Sequence, residues 1–190
     1  MPSTDNITGL ILAGGAGRRV GHRDKGLLDW QGRPLIAHVY DCLKPQVGTL
    51  LISCNRNLSR YGEFAATVVT DKRRNFQGPL AGIEAATSYI QTEFLVVVGC
   101  DMPLLPADLV TRLLAPLCTG TDNLPLISYA HDGERAQYLC AGLKRECLSG
   151  ISGFLDGGGR AVKEWYGRQR TTVVDFEDQS QCFVNCNTLF

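Results

Sequence analysis

The sequence has no surplus of charge: its 19 Lys and Arg residues balance its 19 Asp and Glu residues. A dedicated nucleic-acid or membrane-surface binder normally carries a basic excess, so neither partner is expected. No apolar run approaches the roughly 20 residues that a membrane-spanning helix needs. The opening stretch, Met1 to Thr8, has neither a basic patch nor the apolar core of a signal peptide. The eight cysteines, at 42, 54, 100, 118, 140, 147, 182 and 186, include no Cys-x-x-Cys. Cys182 and Cys186 form the sole close pair, with no clustered His or second pair to complete a zinc site. Cys54 and Cys100 follow apolar runs, where cysteine behaves as a small buried hydrophobe. Free, reduced structural thiols are therefore expected, with neither a disulfide framework nor a metal cluster. Together these absences predict a soluble, cytoplasmic chain.

What is present fits one globular domain spanning 1–190: 44% of residues are hydrophobic and 20% charged, near the averages for such domains. Short apolar, β-branched runs at Ile7–Ala13, Thr49–Cys54, Ala66–Thr70, Phe94–Cys100, Leu124–Tyr129 and Thr171–Asp175 predict strands, and Tyr138–Leu143 is a further candidate. Longer amphipathic stretches at Pro34–Val47, Leu80–Ile90, Pro106–Leu117 and Arg160–Tyr166 predict helices. Pro34 and Pro106 suit first turns, Asp108 the turn after Pro106, and Pro45 should end or kink the first helix. This β-α-β-α order predicts an α/β fold of three layers, Rossmann-like, with a mostly parallel central sheet and helices on both faces. In such sheets ligands bind beyond the carboxyl ends of the strands.

The first strand runs into Leu12-Ala13-Gly14-Gly15-Ala16-Gly17-Arg18-Arg19-Val20-Gly21, followed by His22-Arg23-Asp24-Lys25-Gly26. Glycines let the backbone turn tightly and aim several N–H groups at one anion. The basic side chains that follow would offset the charge of a polyphosphate. It is neither a dinucleotide fingerprint, which would need Gly or Ala where Val20 stands, nor a P-loop, which would need Lys-Ser/Thr where Lys25-Gly26 stands. A plain surface turn is the weaker alternative.

Asp101 follows the uninterrupted apolar run Phe94–Gly99, so its carboxylate meets the ligand crevice. It suits a Mg²⁺ ion that bridges phosphate oxygens; a turn or capping aspartate before Pro103 is the other reading. Asp71 ends a strand and is either a turn residue or a hydrogen-bond acceptor facing a ligand. Ser53 and Asn55 share a face at the end of the second strand by the period of two, as ligand contacts or as loop supports. Asn185 and Asn187, two apart, point the same way in an extended segment.

Leu12-Ala13-Gly14-Gly15, then Arg19, then Asp24-Lys25 resembles the signature of nucleotidyltransferases that activate small molecules with a nucleoside triphosphate. Within that superfamily nearly the whole chain resembles the molybdenum cofactor guanylyltransferases, which join GMP from GTP to molybdopterin. The resemblance implies the nucleotidyltransferase fold, with a nucleotide-binding part over roughly 1–105 and an acceptor-binding part over roughly 106–190. It implies that Leu12, Ala13, Gly14, Gly15, Lys25, Ser53, Asn55, Asp71, Gly78, Gly82 and Asp101 contact the nucleotide. Asp101 would bind the magnesium of MgGTP, and Lys25 with Arg19 would stabilise developing negative charge. Gly78-Pro79-Leu80-Ala81-Gly82 resembles the guanylyl version of a loop that usually contains serine in cytidylyltransferases. Phe183-Val184-Asn185-Cys186-Asn187-Thr188 resembles the family's Asn-x-Asn-Thr motif, which places Asn185 and Asn187 on the acceptor side. Family members often have asparagine where Ser53 stands, a proline soon after a loop like Asp132–Arg135, and a helix after the Asn-x-Asn-Thr motif; this sequence shows none of the three.

The reaction implied is attack by molybdopterin's terminal phosphate on the α-phosphorus of MgGTP, which expels pyrophosphate. The substrate brings its own nucleophile, so no Ser-His-Asp or Cys-His arrangement is needed. His22, His38 and His131 do not bear on this, and His38 falls in a helical pattern as a structural residue. The partners implied are GTP and a molybdopterin-type acceptor, with hand-over of product to apo-molybdoenzymes or their chaperones, and the chain is expected to be a monomer. Two rivals remain: a cytidylyltransferase for the same cofactor, and a non-catalytic nucleotide sensor or cofactor chaperone.

Overall fold

The computed structural model describes residues 2–15, 23–65, 67–73, 77–120 and 123–184. In chain order its strands are β1 (Ile7–Leu12), β2 (Asp29–Trp30), β3 (Arg33–Pro34), β4 (Thr49–Ser53), β5 (Thr67–Val69), β6 (Phe94–Gly99), β7 (Ile127–His131), β8 (Ala136–Lys144) and β9 (Thr171–Asp175). The helices are α1 (Leu35–Leu43), α2 (Leu58–Gly62), α3 (Pro79–Ala86), α4 (Leu109–Cys118), α5 (Ile151–Asp156) and α6 (Val162–Tyr166). Strands β2 and β3 form a small ribbon, and the other seven form one sheet in the order β5-β4-β1-β6-β8-β7-β9.

Every strand of that sheet runs the same way except β8, which is antiparallel to both β6 and β7. The mostly parallel sheet is thus present, and so are the three layers. One face packs Ile11, Ile52, Val96 and Val98 against Ile36 and Val39 of α1 and Leu109 and Leu113 of α4. The other packs Leu10, Leu51, Leu95 and Val97 against Leu80 and Ile83 of α3, Phe154 of α5 and Trp165 of α6. A strand buried on both sides cannot alternate polar and apolar residues, which is why Phe94–Gly99 reads as one apolar run.

Several boundaries differ from the sequence expectation. Helix α4 starts at Leu109, not Pro106: the Pro106 carbonyl accepts from the Leu109 amide and from Gln46 Nε2, which holds it in the turn before the helix. Asp108 is accordingly the residue before α4 and not part of its first turn, and its side chain makes no cap bond. Strand β7 begins three residues later than Leu124, because Leu126 still bonds across to the Arg170 carbonyl before the ladder proper starts. Pro45 ends α1 in a 3₁₀ turn over Lys44–Gln46. The helical stretch from Arg145 to Asp156 lies outside the helices expected from the sequence. Its buried Cys147, Leu148, Ile151, Phe154 and Leu155 nevertheless keep helical spacing, and they close the sheet face that α3 leaves uncovered.

The chain passes from β1 to β4 and β5 on one side, then returns to β6 on the other side of β1. This reversal parts the connections above β1 and opens a crevice at the carboxyl ends of the strands. Among the described residues no helix is long and apolar enough to cross a membrane.

Candidate active site

A cavity of about 330 Å³ sits at that switch point. Its walls come from segments far apart in sequence: Leu12–Gly15 beyond β1, Lys25, Ser53 at the end of β4, Asp71 after β5, Gly78, Pro79 and Gly82 at the start of α3, and Gly99–Asp101 leaving β6. Leu139 of β8 closes the remaining side. Backbone bonds fix the strand ends that frame it: Ala13 N donates to the Ser53 carbonyl at 2.7 Å, and Cys100 N to the Leu12 carbonyl at 3.1 Å.

Lys25 Nζ donates to Asp101 Oδ2 at 2.7 Å, with side chains 25% and 15% exposed. The pair is therefore sheltered but still reachable from the cavity. Asp101 folds its carboxylate back over the strand end, and a Cβ on Gly99 would stand 2.9 Å from Asp101 Oδ1. A single carboxylate beside an ammonium suits a divalent cation that takes most of its ligands from phosphate oxygens and water. A cation held by protein ligands alone would need more: among the described residues no three of His, Cys, Asp and Glu gather to hold one.

Asp71 stands on the opposite wall. Asn55 Nδ2 donates to Asp71 Oδ2 at 2.8 Å and to the Gly14 carbonyl at 3.2 Å, while Asn55 Oδ1 accepts from the Asp71 amide at 2.9 Å. Asn55 lies outside the cavity lining, and its side chain ties the glycine-rich segment to Asp71. Burial pushes the Asp71 carboxyl above the ordinary aspartate value, more than the Asn55 hydrogen bond lowers it; Glu84 adds a smaller upward push. The chain just beyond Asp71 is anchored by Arg73, which forks onto both carboxylate oxygens of Glu84 at 2.7 Å and reaches Asp156 at 2.7 Å. Those hydrogen bonds hold the Glu84 carboxyl below its usual range.

Helix α3 starts against the cavity with Gly78 before it, at φ +86°, and Pro79 in its first turn. A positive φ suits glycine, and proline costs nothing where the helical N–H has no partner. Ser53 is only 1% exposed, and among the described residues its Oγ has no hydrogen-bond partner although the residue lines the cavity. Gly82 faces it so closely that a Cβ would stand 2.6 Å from Ser53 Oγ and 3.0 Å from Leu12 Cδ2. Gly82→Ala is expected to overpack this wall and cost about 1–3 kcal/mol of stability. The check is a lowered denaturant midpoint with an unchanged m-value.

Of the expected site residues, the cavity brings together Leu12, Ala13, Gly14, Gly15, Lys25, Ser53, Asp71, Gly78, Gly82 and Asp101. Arg19, Asn185 and Asn187 lie outside the described residues. Leu139 was missed. Its signal is a register break visible only in three dimensions: Tyr129 pairs with Ala141 but the next residue, Ala130, pairs with Gln137, which leaves residues 138–140 without partners in β7, and Leu139 among them lines the cavity. Asp132 does not line the cavity. It shapes the β7–β8 turn by accepting the Glu134 and Arg135 amides and Gln137 Nε2. Burial would raise its carboxyl, yet these bonds leave it below the usual value. The described cysteines, all but Cys186, are unpaired, and burial pushes Cys42 up to about 11 and Cys54 to about 12. Neither is a thiolate at neutral pH.

Comparison with known proteins follows the same lines. The sequence pattern of the MobA-like NTP transferase domain matches residues 9–172. A molybdenum cofactor guanylyltransferase of Shewanella sediminis is 45% identical over 182 residues, covering 96% of this chain and 91% of the relative. One from Shewanella piezotolerans is 43% identical, covering 97% and 89%. Among solved structures, the molybdopterin-guanine dinucleotide biosynthesis protein A of Archaeoglobus fulgidus superposes with a TM-score of 0.73 at 20% identity, covering 95% of this chain and 92% of that one. At that identity the superposition shows the fold alone.

Proposed function

We infer that this chain, which belongs to the MobA-like NTP transferase family, transfers GMP from GTP to the terminal phosphate of a molybdopterin-type acceptor. A phosphate oxygen of the acceptor bonds to the α-phosphorus of GTP, the bond from that phosphorus to the bridging oxygen breaks, and pyrophosphate leaves with the electron pair. Guanylyl transfer is the activity named for curated relatives that match almost end to end, which favours it over a cytidylyl reading. The observation that most supports the chemistry is the convergence of Lys25, Asp101, Asp71 and the Gly14–Gly15 backbone on one cavity.

The chain's own groups act by position and charge. Lys25 would balance negative charge on the departing pyrophosphate, with Arg19 as its proposed companion. The Gly14–Gly15 backbone and the start of α3 offer N–H groups to anionic oxygens. Asp71 would accept donors from guanine, Ser53 Oγ would bond the nucleotide, and Leu12, Ala13, Gly78 and Gly82 would enclose it, with Asn55 holding Asp71. Asp101 would hold Mg²⁺, the proposed identity of the family's divalent metal, which when bound neutralises phosphate charge and aligns the α-phosphate. Asn185 and Asn187 are proposed on the acceptor side, so that roughly 1–105 bind the nucleotide and 106–190 the acceptor. A cytoplasmic monomer that passes its product to apo-molybdoenzymes or their chaperones completes the proposal.

The test is pyrophosphate release with Mg²⁺ and molybdate-loaded molybdopterin, comparing GTP, CTP and ATP. Turnover with GTP alone is expected. A preference for CTP would overturn the base assignment. Binding of GTP without any release of pyrophosphate would replace the enzyme by a nucleotide sensor.

A further inference from the structure

Asp24 precedes Lys25 yet does not line the cavity, and both of its carboxylate oxygens are taken by neutral donors. Tyr61 Oη donates to Asp24 Oδ1 at 2.5 Å and Asn57 Nδ2 to Oδ2 at 2.9 Å. Tyr61 is completely buried in α2, and Asn57 starts that helix in a left-handed conformation at φ 52°. Arg56, the residue before, donates Nη2 to the Gly15 carbonyl at 3.3 Å and to the Arg23 carbonyl at 3.4 Å. One short segment, 56–61, thus grips the chain on both flanks of the glycine-rich loop.

A lysine ammonium on a four-carbon stem has little directional rigidity of its own, so its aim depends on how firmly its backbone is held. Here the hold comes from outside the loop. We propose that Tyr61 is a positioning residue for guanylyl transfer: through Asp24 its hydroxyl fixes the backbone that delivers Lys25 to Asp101 and to the pyrophosphate leaving group. Gly26 carries the same message from the other side. A Cβ there would stand 2.5 Å from Tyr61 Oη and 3.2 Å from two ring carbons, so any side chain at Gly26 pushes the hydroxyl off Asp24. The proposal rests on the role given to Lys25 in the preceding section.

Tyr61→Phe keeps the buried ring and removes only the hydroxyl. It is expected to lower kcat with GTP about tenfold while leaving KM for GTP within about twofold, as misplacement of a catalytic group does. Gly26→Ala, which removes no hydrogen-bonding group, is expected to give the same split. In a Lys25→Ala background Tyr61→Phe should cost nothing further in turnover, since it acts through Lys25. A second readout is calorimetric binding of inorganic pyrophosphate with Mg²⁺, weakened about tenfold by Tyr61→Phe and not at all when Lys25 is already absent. This measurement needs neither acceptor nor nucleotide. Failure of the wild type to turn over GTP therefore removes the guanylyl reading, while the pyrophosphate cycle still decides the positioning. A Tyr61→Phe protein with a lower melting temperature but kcat and pyrophosphate affinity within twofold of wild type would overturn the proposal. So would a full additional loss on top of Lys25→Ala.

Discussion

Replacement of Asp101 by alanine is expected to leave the fold intact and lower turnover by about two to three decades, the usual cost of removing one group aimed at transition-state charge. The fold survives because the carboxylate supports no secondary structure: its described bond is to Lys25, and both side chains reach the cavity. Activity does not survive, because with a nucleophile brought by the substrate the protein contributes alignment and charge. Lys25→Ala should fall by a similar factor. The two losses should not add in full, since both act on the same phosphates. Pyrophosphate release and a thermal melt on the same preparation check this, and a folded Asp101→Ala protein with near-normal turnover would remove Asp101 as the metal ligand.

The second large effect is expected at Asp71. Asn55 donates to Asp71 Oδ2, so an amide placed there by Asp71→Asn must turn its oxygen toward Asn55 and its NH₂ toward the cavity. An acceptor facing guanine's donors becomes a donor, and a lost charge-assisted bond of about 1.5–3 kcal/mol lowers kcat/KM for GTP roughly ten- to hundredfold, mostly through KM. The wild-type protein should also show this loss on acidification. Burial raises the Asp71 carboxyl, so it takes up its proton at a higher pH than an ordinary aspartate, and KM for GTP rises there; the Asn variant lacks that acid limb. A raised folded value means that the folded chain holds the proton more tightly than the unfolded one. Ionised Asp71 therefore detracts from stability as pH rises, and Asp71→Asn is expected not to lower the melting temperature at neutral pH. An unchanged KM would move base recognition to another residue.

The legible part of this protein lies in segments whose local pattern has one physical solution. Phe94–Gly99 is apolar throughout because it is buried on both faces, and that alone puts Asp101 at the mouth of a central strand. The glycines after β1, with Lys25 close behind them, suit a polyphosphate wherever the rest of the chain goes. The β-α order fixes the layers, and with them the end of the sheet where a ligand binds. Sequence thus determined the fold class and most of the cavity wall.

The rest was decided by contacts between residues distant in sequence. Ser53 and Asn55 are two apart and look equivalent, but only Ser53 faces the cavity, because β4 ends there and the next residues turn toward Asp71 and Gly14. Leu139 lines the site at a register break that only the pairing of β7 with β8 creates. The hydrogen bond between Asp24 and Tyr61 spans 37 residues, and no local pattern in the sequence displays it. Periodicity records which side of a strand is buried, since that is a property of neighbours in the chain. Which buried hydroxyl meets which carboxylate depends on how independently formed segments pack, and that is settled only when the whole sheet closes.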